Sequence, residues 1–335
     1  MEELDRFFSY LAFARRSFTH LLDVRNLRYS HLLFRGFTPE KGHYYDFKKY
    51  GYRPYVTDIT RYLKTTFINY NNRDLIKDKY GCYLMLKEFT DKVVPVYGLI
   101  DNGVLHLLNK YKTTADLFTA ENKFILKPRM GRGGKGVILV TVEGGKVFVD
   151  RKQCNNFSTA IKNLKNYILV PYVHPHPYSK KIFPHSLNTI RFLTALVDGK
   201  GVLLKAGHRF GADGQTCVDN VAFGGISGSI NVNTGIIEDA LMIDSKNKKK
   251  ISVRDHPVTG QNILGLQIPG WQRLKEQVLQ IHESIPFITY VGWDIALTEE
   301  DFRIIEANYA SDLDGIQAHS PMLTDEQNKA FFSKL

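Results

Sequence analysis

Residues 124–140 read Phe124-Ile125-Leu126-Lys127-Pro128-Arg129-Met130-Gly131-Arg132-Gly133-Gly134-Lys135-Gly136-Val137-Ile138-Leu139-Val140. Two apolar runs flank a glycine-rich loop, the pattern of an antiparallel hairpin. By letter, Gly131-x-Gly133-x-x-Gly136 matches a dinucleotide-binding fingerprint. That fingerprint requires a helix after the loop, so that pyrophosphate meets a helix N-terminus. Here a β-branched run follows, residues 137–142, then the turn Glu143-Gly144-Gly145 and another strand, residues 146–150. No G-x-x-x-x-G-K-[ST] is present, which excludes a P-loop. What remains is a glycine loop whose backbone N–H groups can approach phosphate oxygens closely. Lys127 lies in an otherwise apolar strand, where an ammonium is costly to bury unless it meets an anion. An edge-strand lysine beside a surface turn is the competing reading.

The second informative stretch is Val291-Gly292-Trp293-Asp294-Ile295-Ala296-Leu297, the polar turn Thr298-Glu299-Glu300-Asp301, and Phe302-Arg303-Ile304-Ile305-Glu306-Ala307-Asn308. A hairpin centred on Glu300 pairs Asp294 with Glu306, and opposed residues share a face with Cβ atoms about 4.5–5.5 Å apart. Asn308, two residues on, lies on that face too. Carboxylates so close repel unless a cation or proton lies between them. Oxygen-only donors favour magnesium completed by phosphate and water. A one-residue slip would send Asp294 and Glu306 to opposite faces. Surface carboxylates on an exposed strand are the alternative, and the flanking Trp293, Ile295, Ile304 and Ile305 argue against it.

Outward from these stretches the β pattern continues. Residues 188–197 and 202–210 flank Asp198-Gly199-Lys200-Gly201, a hairpin signal. Residues 93–97 are a β-type run, residues 246–250 a solvated basic loop. Residues 271–284 form an amphipathic helix with Trp271, Leu274, Val278 and Ile281 on one face. The first 85 residues differ: they are rich in arginine and aromatics, and Phe7, Leu11, Phe18, Leu21 and Leu22 recur at helical spacing. Their arginines fit a solvated face, or a platform for an acidic polymer or a membrane surface. Tyr10, Tyr29, Tyr44 and Tyr45 suit an aromatic core better than stacking on sugars. The expected organisation is a helical, basic region 1–85, an α+β unit 86–170 with the glycine loop, and an α+β unit 171–335 with the carboxylates.

The 335 residues suffice for about two domains. With 43% hydrophobic and 24% charged residues, the chain is neither disordered nor collagen-like. No run reaches the ~18 apolar residues of a membrane helix. The acidic start, Met1-Glu2-Glu3-Leu4-Asp5, lacks a secretory n-region. Cys82, Cys154 and Cys217 are scattered, which suits reduced cytoplasmic thiols rather than a disulfide framework or zinc ribbon. The 45 basic against 34 acidic residues leave a formal charge of +11. That charge draws anionic partners: nucleotide, acidic sugar, nucleic acid or membrane surface. No nucleic-acid-binding motif accompanies it. His174-Pro175-His176 has no third His or Cys ligand nearby, so contact with substrate or loop rigidity is preferred there to a metal.

Each motif is modest alone, but their order is specific. Asp91-Lys92 comes first, then Lys127 before the glycine loop, then a strand and hinge at Ile168-Leu169-Val170-Pro171-Tyr172-Val173, and finally Asp294…Glu306-x-Asn308. This order resembles the ATP-grasp superfamily of carboxylate–amine ligases over about residues 88–318. Asn188-Thr189-Ile190-Arg191, Val218-Asp219-Asn220 with Gly224-Gly225-Ile226, and Gly292-Trp293-Asp294 are similar to its sugar-transfer-associated and TupA-like branches. The resemblance implies an α+β ATP-grasp fold in which two subdomains clamp ATP, preceded by a mainly helical region. It implies Lys92 and Lys127 on the phosphates, with Gly131, Gly133, Gly134, Lys135 and Gly136 closing over them. Tyr172 and Val173 would adjoin adenine. Asp294, Glu306 and Asn308 would hold Mg2+. Arg191, with Arg209 or Lys205, would face the transferred phosphate or acyl group. Apart from the resemblance, His185, His208 and Asp219, with Asn220, suit the acceptor side, and as isolated polar residues they suit a structural role equally well. Val170-Pro171 stands where many members carry a glutamate early in the hinge, and that contact to the adenine amino group goes with it.

The implied reaction joins a carboxylate to an amine through an acyl phosphate, with ATP and Mg2+. A sugar or polysaccharide precursor such as a uronic acid would be the target. Such chemistry needs positioning and charge neutralisation rather than a covalent protein group. The alternatives are a kinase acting on a sugar or polyol hydroxyl, and a non-catalytic nucleotide-binding protein with a basic polymer- or membrane-facing surface. A cytoplasmic enzyme, with peripheral contact at the inner membrane face left open, fits these readings. Lys127 and Glu306 must then lie within about 15 Å, the reach of a metal-bound triphosphate.

Overall fold

The computed structural model of the chain describes residues 2–108, 111–120, 122–131, 133–212, 224–244 and 246–335. The first sheet holds β1 (Gly98–Asp101), β2 (Val104–Leu107), β3 (Lys123–Pro128), β4 (Ile138–Glu143), β5 (Lys146–Val149), β6 (Lys152–Cys154) and β7 (Tyr167–Pro171). Its order is β2-β1-β7-β3-β4-β5-β6, and neighbours run antiparallel. The glycine loop joins β3 to β4, with Phe124 opposite Val140 and Leu126 opposite Ile138. Gly144 and Gly145 make the β4–β5 turn, both with left-handed φ (56° and 76°), as a two-residue hairpin turn requires. Alternation along the strands sends Phe124, Leu126, Val140 and Leu169 into a core with Leu117, Phe157 and Ile161. Ile125 and Val170 turn to the opposite face, among Val94, Val96 and Ile168.

The second sheet holds β8 (Ile190–Val197), β9 (Lys200–Phe210), β10 (Ile226–Ile230), β11 (Ile237–Asp244), β12 (Lys249–Ser252), β13 (Tyr290–Leu297) and β14 (Phe302–Asn308). Its order is β12-β11-β10-β9-β8-β13-β14. The helix Trp271–Glu283 lays Trp271, Leu274 and Val278 against Phe192 and Trp293 on one face. The helix Glu326–Ser333 lays Phe331 and Phe332 against Leu193, Ala195 and Tyr290 on the other. Covered on both sides, the central strands read as nearly unbroken apolar runs. The β8–β9 turn is Asp198-Gly199 with φ of 51° and 78°, so β9 begins at Lys200, two residues before the expected strand.

Three further local expectations change. Residues 93–97 form no strand: Val93 makes an isolated parallel bridge to Ile304, and Val94 N–H donates to Ile304 C=O at 3.2 Å. The run is held by β14 instead. Lys249 and Lys250 are no loop; they belong to β12, whose charges suit an edge strand that must not pair further. In the last hairpin, Leu297 faces Phe302 and Ile295 faces Ile304, a register centred half a residue short of Glu300. A bulge next to Asp294 inserts Ile305 and restores Asp294 opposite Glu306 and Gly292 opposite Asn308.

The N-terminal region comprises a helix (Glu2–Leu21), a 3-10 segment (Val24–Arg35) and short helices ending with Lys79–Leu86. Leu32, Phe37, Tyr45 and Tyr55 form a small aromatic core in which Tyr45 stacks on Tyr55 at 4.7 Å. The first helix buries Phe13 and Ser17, whereas Phe7, Leu11, Phe18 and Leu22 face solvent. The spacing marks the helix, but its apolar stripe points outward. Both chain ends are tied together beside the second sheet. Asn69 Nδ2 donates to Tyr290 C=O, and the Gln317 amide brackets the backbone N–H and C=O of Val56 at 2.8 and 3.0 Å. The chain leaves for the first sheet along residues 92–97 and returns along 171–173.

Candidate active site

A cavity of about 940 Å³ lies between the sheets and is closed at one end by the N-terminal region. That is near the upper limit for a single small-ligand pocket. One stretch of wall is apolar: Val94, Ile125, Val170, Pro171, Tyr172 and Val173. Tyr172 N–H donates to Lys123 C=O at 3.1 Å, which fixes the chain where it leaves β7.

Next along the wall come the cations of the first sheet. Lys127 extends from β3 to the other sheet, donating from Nζ to Ile305 C=O at 3.1 Å. Glu306 follows in sequence, so the two sides of the proposed phosphate site are in contact range. Burial lowers the Lys127 pKa, and the Glu306 carboxylate opposes that shift without cancelling it. Gly131, Gly133, Gly134 and Lys135 line the same wall. Gly133 and Gly134 have φ of 73° and 75°, which side chains rarely adopt. Gly136 is not part of the lining; a Cβ there would meet the Tyr167 hydroxyl at 2.8 Å.

Lys79, which the sequence reading did not single out, starts the helix Lys79–Leu86 and reaches this wall. Its Nζ donates to Gly131 C=O at 2.9 Å and lies 3.4 Å from Glu306 Oε1. The Asp78 carboxylate caps that helix at Tyr80 N–H and also holds Arg129, at the entrance of the loop. Lys92 belongs elsewhere. It pairs with Asp301 at 2.5 Å, in the turn of the last hairpin, and does not line the cavity.

The second sheet contributes an acid clamped between two guanidiniums. Asp294 is 6% exposed and lies opposite Arg191 in the β8–β13 pair. Arg191 Nε and Nη2 donate to its two oxygens at 2.6 and 3.2 Å, and Arg209 Nη2 lies 2.7 Å from Oδ1. Burial alone would raise the Asp294 pKa; the two guanidiniums outweigh it and hold the carboxyl below the usual range. Arg191 Nη1 also donates to Ser311 Oγ at 2.8 Å. Gly292 permits this approach, because a Cβ there would lie 2.4 Å from Ser311 Oγ.

Glu306 and Asn308 line the cavity beside this clamp. Asn308 Nδ2 approaches Gly292 C=O at 3.3 Å and Asp294 Oδ2 at 3.5 Å. The donors on this face are all oxygen-bearing and so suit a hard cation. Asp294, Glu306 and Asn308 line one stretch of the cavity together; both oxygens of Asp294 also accept from Arg191, and Glu306 Oε1 lies 3.4 Å from Lys79 Nζ.

The strand period explains two further departures. His208 precedes Arg209 and so points to the opposite face. It is wholly buried, stacked on Phe210 and bonded to the Tyr178 hydroxyl at 2.7 Å, and burial pulls its pKa down to about 3. Lys205 shares the parity of Arg209 but lies four residues along β9, about 13 Å away. Its Nζ donates to Ser320 Oγ at 3.2 Å, outside the cavity lining. Asp219 and Asn220 lie outside the described residues. His176 accepts from Tyr178 N–H and caps the short helix Pro177–Ile182.

The closed end of the cavity was not legible in sequence. Lys41, 1% exposed, reaches Asp314 at 2.7 Å and both Asp58 and Glu40 at 3.5 Å. Arg16 lies 3.3 Å from Glu40, and Arg61 lies 3.4 Å from Asp312 and 3.9 Å from Asp58. His20 touches Glu40 at 3.1 Å, yet burial keeps its pKa below the ordinary value. Burial would raise the Glu40 pKa, but Lys41 and its cationic neighbours hold it down. At this end Glu40 Oε2, and Nε and Nη2 of Arg61, are buried without a hydrogen-bond partner among the described residues.

Two seven-stranded sheets, one with a glycine-rich loop and the other with an acid–arginine cluster, fit an ATP-grasp fold. Residues 59–329 match the family described as sugar-transfer associated ATP-grasp, and the chain belongs to that family. Similar solved structures include biotin carboxylase from Campylobacter jejuni (11% identity, 75% of this chain and 45% of that one, TM-score 0.42). D-alanyl-alanine synthetase A from Vibrio cholerae is also similar (12% identity, 79% and 62%, TM-score 0.42). So is L-amino acid ligase from Bacillus licheniformis (12% identity, 78% and 48%, TM-score 0.42). The chain thus spans about half to three fifths of the length of these proteins. Comparison with curated proteins finds no match.

Proposed function

We propose that the chain is an ATP-dependent ligase that joins a carboxylate to an amine, with a sugar acid as the carboxylate. The observation that carries this reading is charge arranged along one cavity. Lys127, Lys79 and the glycine loop form a cationic wall facing Glu306 and Asn308, and beyond them lie two clusters of opposite net charge. Arg191 and Arg209 against Asp294 leave one positive charge, suited to the carboxylate and then to its acyl phosphate. Glu40, Asp58, Asp312 and Asp314 against Arg16, Lys41 and Arg61 leave one negative charge, suited to an ammonium. The unsatisfied Glu40 Oε2 supports that end as the amine site.

The carboxylate oxygen attacks the γ-phosphorus, the bond to the β-phosphate oxygen breaks, and ADP leaves. The ammonium loses one proton to solvent and the neutral amine attacks the acyl carbon; the C–O bond breaks, the departing phosphate takes up the second proton from nitrogen, and the amide is formed. Lys127 and Lys79 hold the phosphates, and the loop N–H groups exclude water from them. Arg191 and Arg209, preorganised by Asp294, stabilise the developing acyl oxyanion. Magnesium, held by Glu306 and Asn308, would neutralise phosphate charge when bound.

The test incubates the protein with ATP, Mg2+ and pooled amino acids against a panel of uronic acids. Phosphate release that needs both an acid and an amine, with an amide product by mass, is expected. Lys127→Ala and Glu306→Ala should abolish it. A stable phosphoester instead of amide would assign a kinase, and full turnover in either variant would remove the site.

A further inference from the structure

The first helix is built the wrong way round for a helix that only packs on its own protein. At 3.6 residues per turn, Leu4, Phe7, Phe8, Leu11, Arg15, Phe18 and Leu22 fall within an arc of about 100°. All are exposed, Phe18 at 64% and Leu22 at 68%. The opposite arc carries the smaller and more polar Ser9, Arg16, Ser17 and His20 with Phe13; of these, Ser9, Arg16 and His20 line the cavity. In the 3-10 segment that follows, Val24, Leu27 and Phe34 are exposed as well, the last at 96%. Scattered surface apolars are normal, but a contiguous stripe of large ones marks a contact surface.

Charge decides what covers it. Between residues 4 and 34 the chain carries Arg6, Arg15, Arg16, Arg25 and Arg28 against Asp5 and Asp23; Arg6, Arg16 and Arg25 are ion-paired within the chain, which leaves Arg15 and Arg28 for an outside anion. Arg15 lies inside the apolar stripe and, among the described residues, has no ion-pair partner. A second copy docked on this stripe would bury that guanidinium without a counter-ion, which is costly. A layer of lipid phosphates supplies one. Aromatic and aliphatic groups set among arginines are the composition of a helix lying in a membrane interface.

We propose that the outer face of residues 4–34 docks on an anionic membrane surface, with Phe7, Phe18, Leu22 and Phe34 entering the headgroup layer and Arg15 and Arg28 meeting lipid phosphates. The cavity wall and the membrane contact are then two sides of one helix, about 10–12 Å thick. Resting on the ligase reading, the corollary is that the acid or the amine is attached to a membrane lipid.

The experiment needs no substrate, so its outcome is independent of that reading. The full chain is sedimented with phosphatidylcholine vesicles and with vesicles containing phosphatidylglycerol, without nucleotide. Binding to the anionic vesicles alone, weakening as salt rises, is expected. Phe18→Ser with Phe34→Ser should weaken partition about tenfold or more, and Arg15→Gln with Arg28→Gln about tenfold. These side chains are exposed, so melting temperatures should not move; a variant that keeps its melting point yet loses vesicles supports the proposal. Equal recovery with and without anionic vesicles at low salt overturns it. So does a stable dimer by light scattering that Phe18→Ser converts to monomer, since a second copy would then own the face.

Discussion

Replacing Asp294 by Asn leaves two guanidiniums facing one another in the cavity wall. The side chains of Asp294, Arg191 and Arg209 are 9%, 15% and 19% exposed, so solvent screens the cluster little. Removing one partner of a buried ion pair costs about 3–5 kcal/mol. At roughly 2 °C per kcal/mol for a chain of this size, Asp294→Asn should melt roughly 6–10 °C lower at pH 7. The local charge rises from one to two, so phosphate or sulfate should recover more of that loss in the variant than it adds to the parent protein. The sign with pH follows from the depressed carboxyl. Asp294 stabilises the fold fully above its unfolded pKa of about 3.9, and the gain is lost as pH falls towards the lower folded value. The gap between parent and variant should therefore be constant above about pH 5 and narrow below pH 4. Scanning calorimetry across pH, with and without phosphate, measures all three effects. A variant melting within about 1 °C of the parent at pH 7, or a gap that persists unchanged in acid, would refute the clamp.

Lys79→Ala should weaken a non-hydrolysable ATP analogue about tenfold or more by calorimetry, whereas Lys92→Ala, paired at the outer turn, should leave it unchanged. Wild-type affinity in the first variant would return the phosphate contact to Lys92. Glu40→Gln should raise KM for the amine about tenfold while KM for ATP stays put, because the lost charge lies at the closed end. A matching rise in both constants would make Glu40 a purely structural member of its ion network.

Much of the architecture was legible because hairpins advertise themselves locally. Gly144-Gly145 and Asp198-Gly199 each announce a tight turn between β-branched runs, and the order of Lys92, Lys127 with its glycine loop, the hinge at residues 168–173 and Asp294…Glu306-x-Asn308 carried the family resemblance. Asp294 and Glu306 were paired in sequence by assuming a symmetric turn. They do pair, but through a bulge at Ile305 that no local signal gives. His208 was placed on the acceptor side, yet it neighbours Arg209 on β9, and strand neighbours face opposite ways. Lys92 stood out by motif order and Lys79 carried no signal of its own; Lys79 shows itself only once Gly131 and Glu306 are seen beside it. The buried network around Lys41 was out of reach for a different reason. Its members come from residues 16, 40, 41, 58, 61, 312 and 314, so only the packing of both chain ends brings them together.

The first sheet is joined to everything else by two short runs of backbone, one held to β14 by Val93 and Val94 and the other anchored at Tyr172. Both runs form part of the apolar wall. Rocking of one sheet against the other would bend both runs, and with them the wall they form. A ligand resting on that wall and the angle between the sheets would then be coupled at Val94 and Val173.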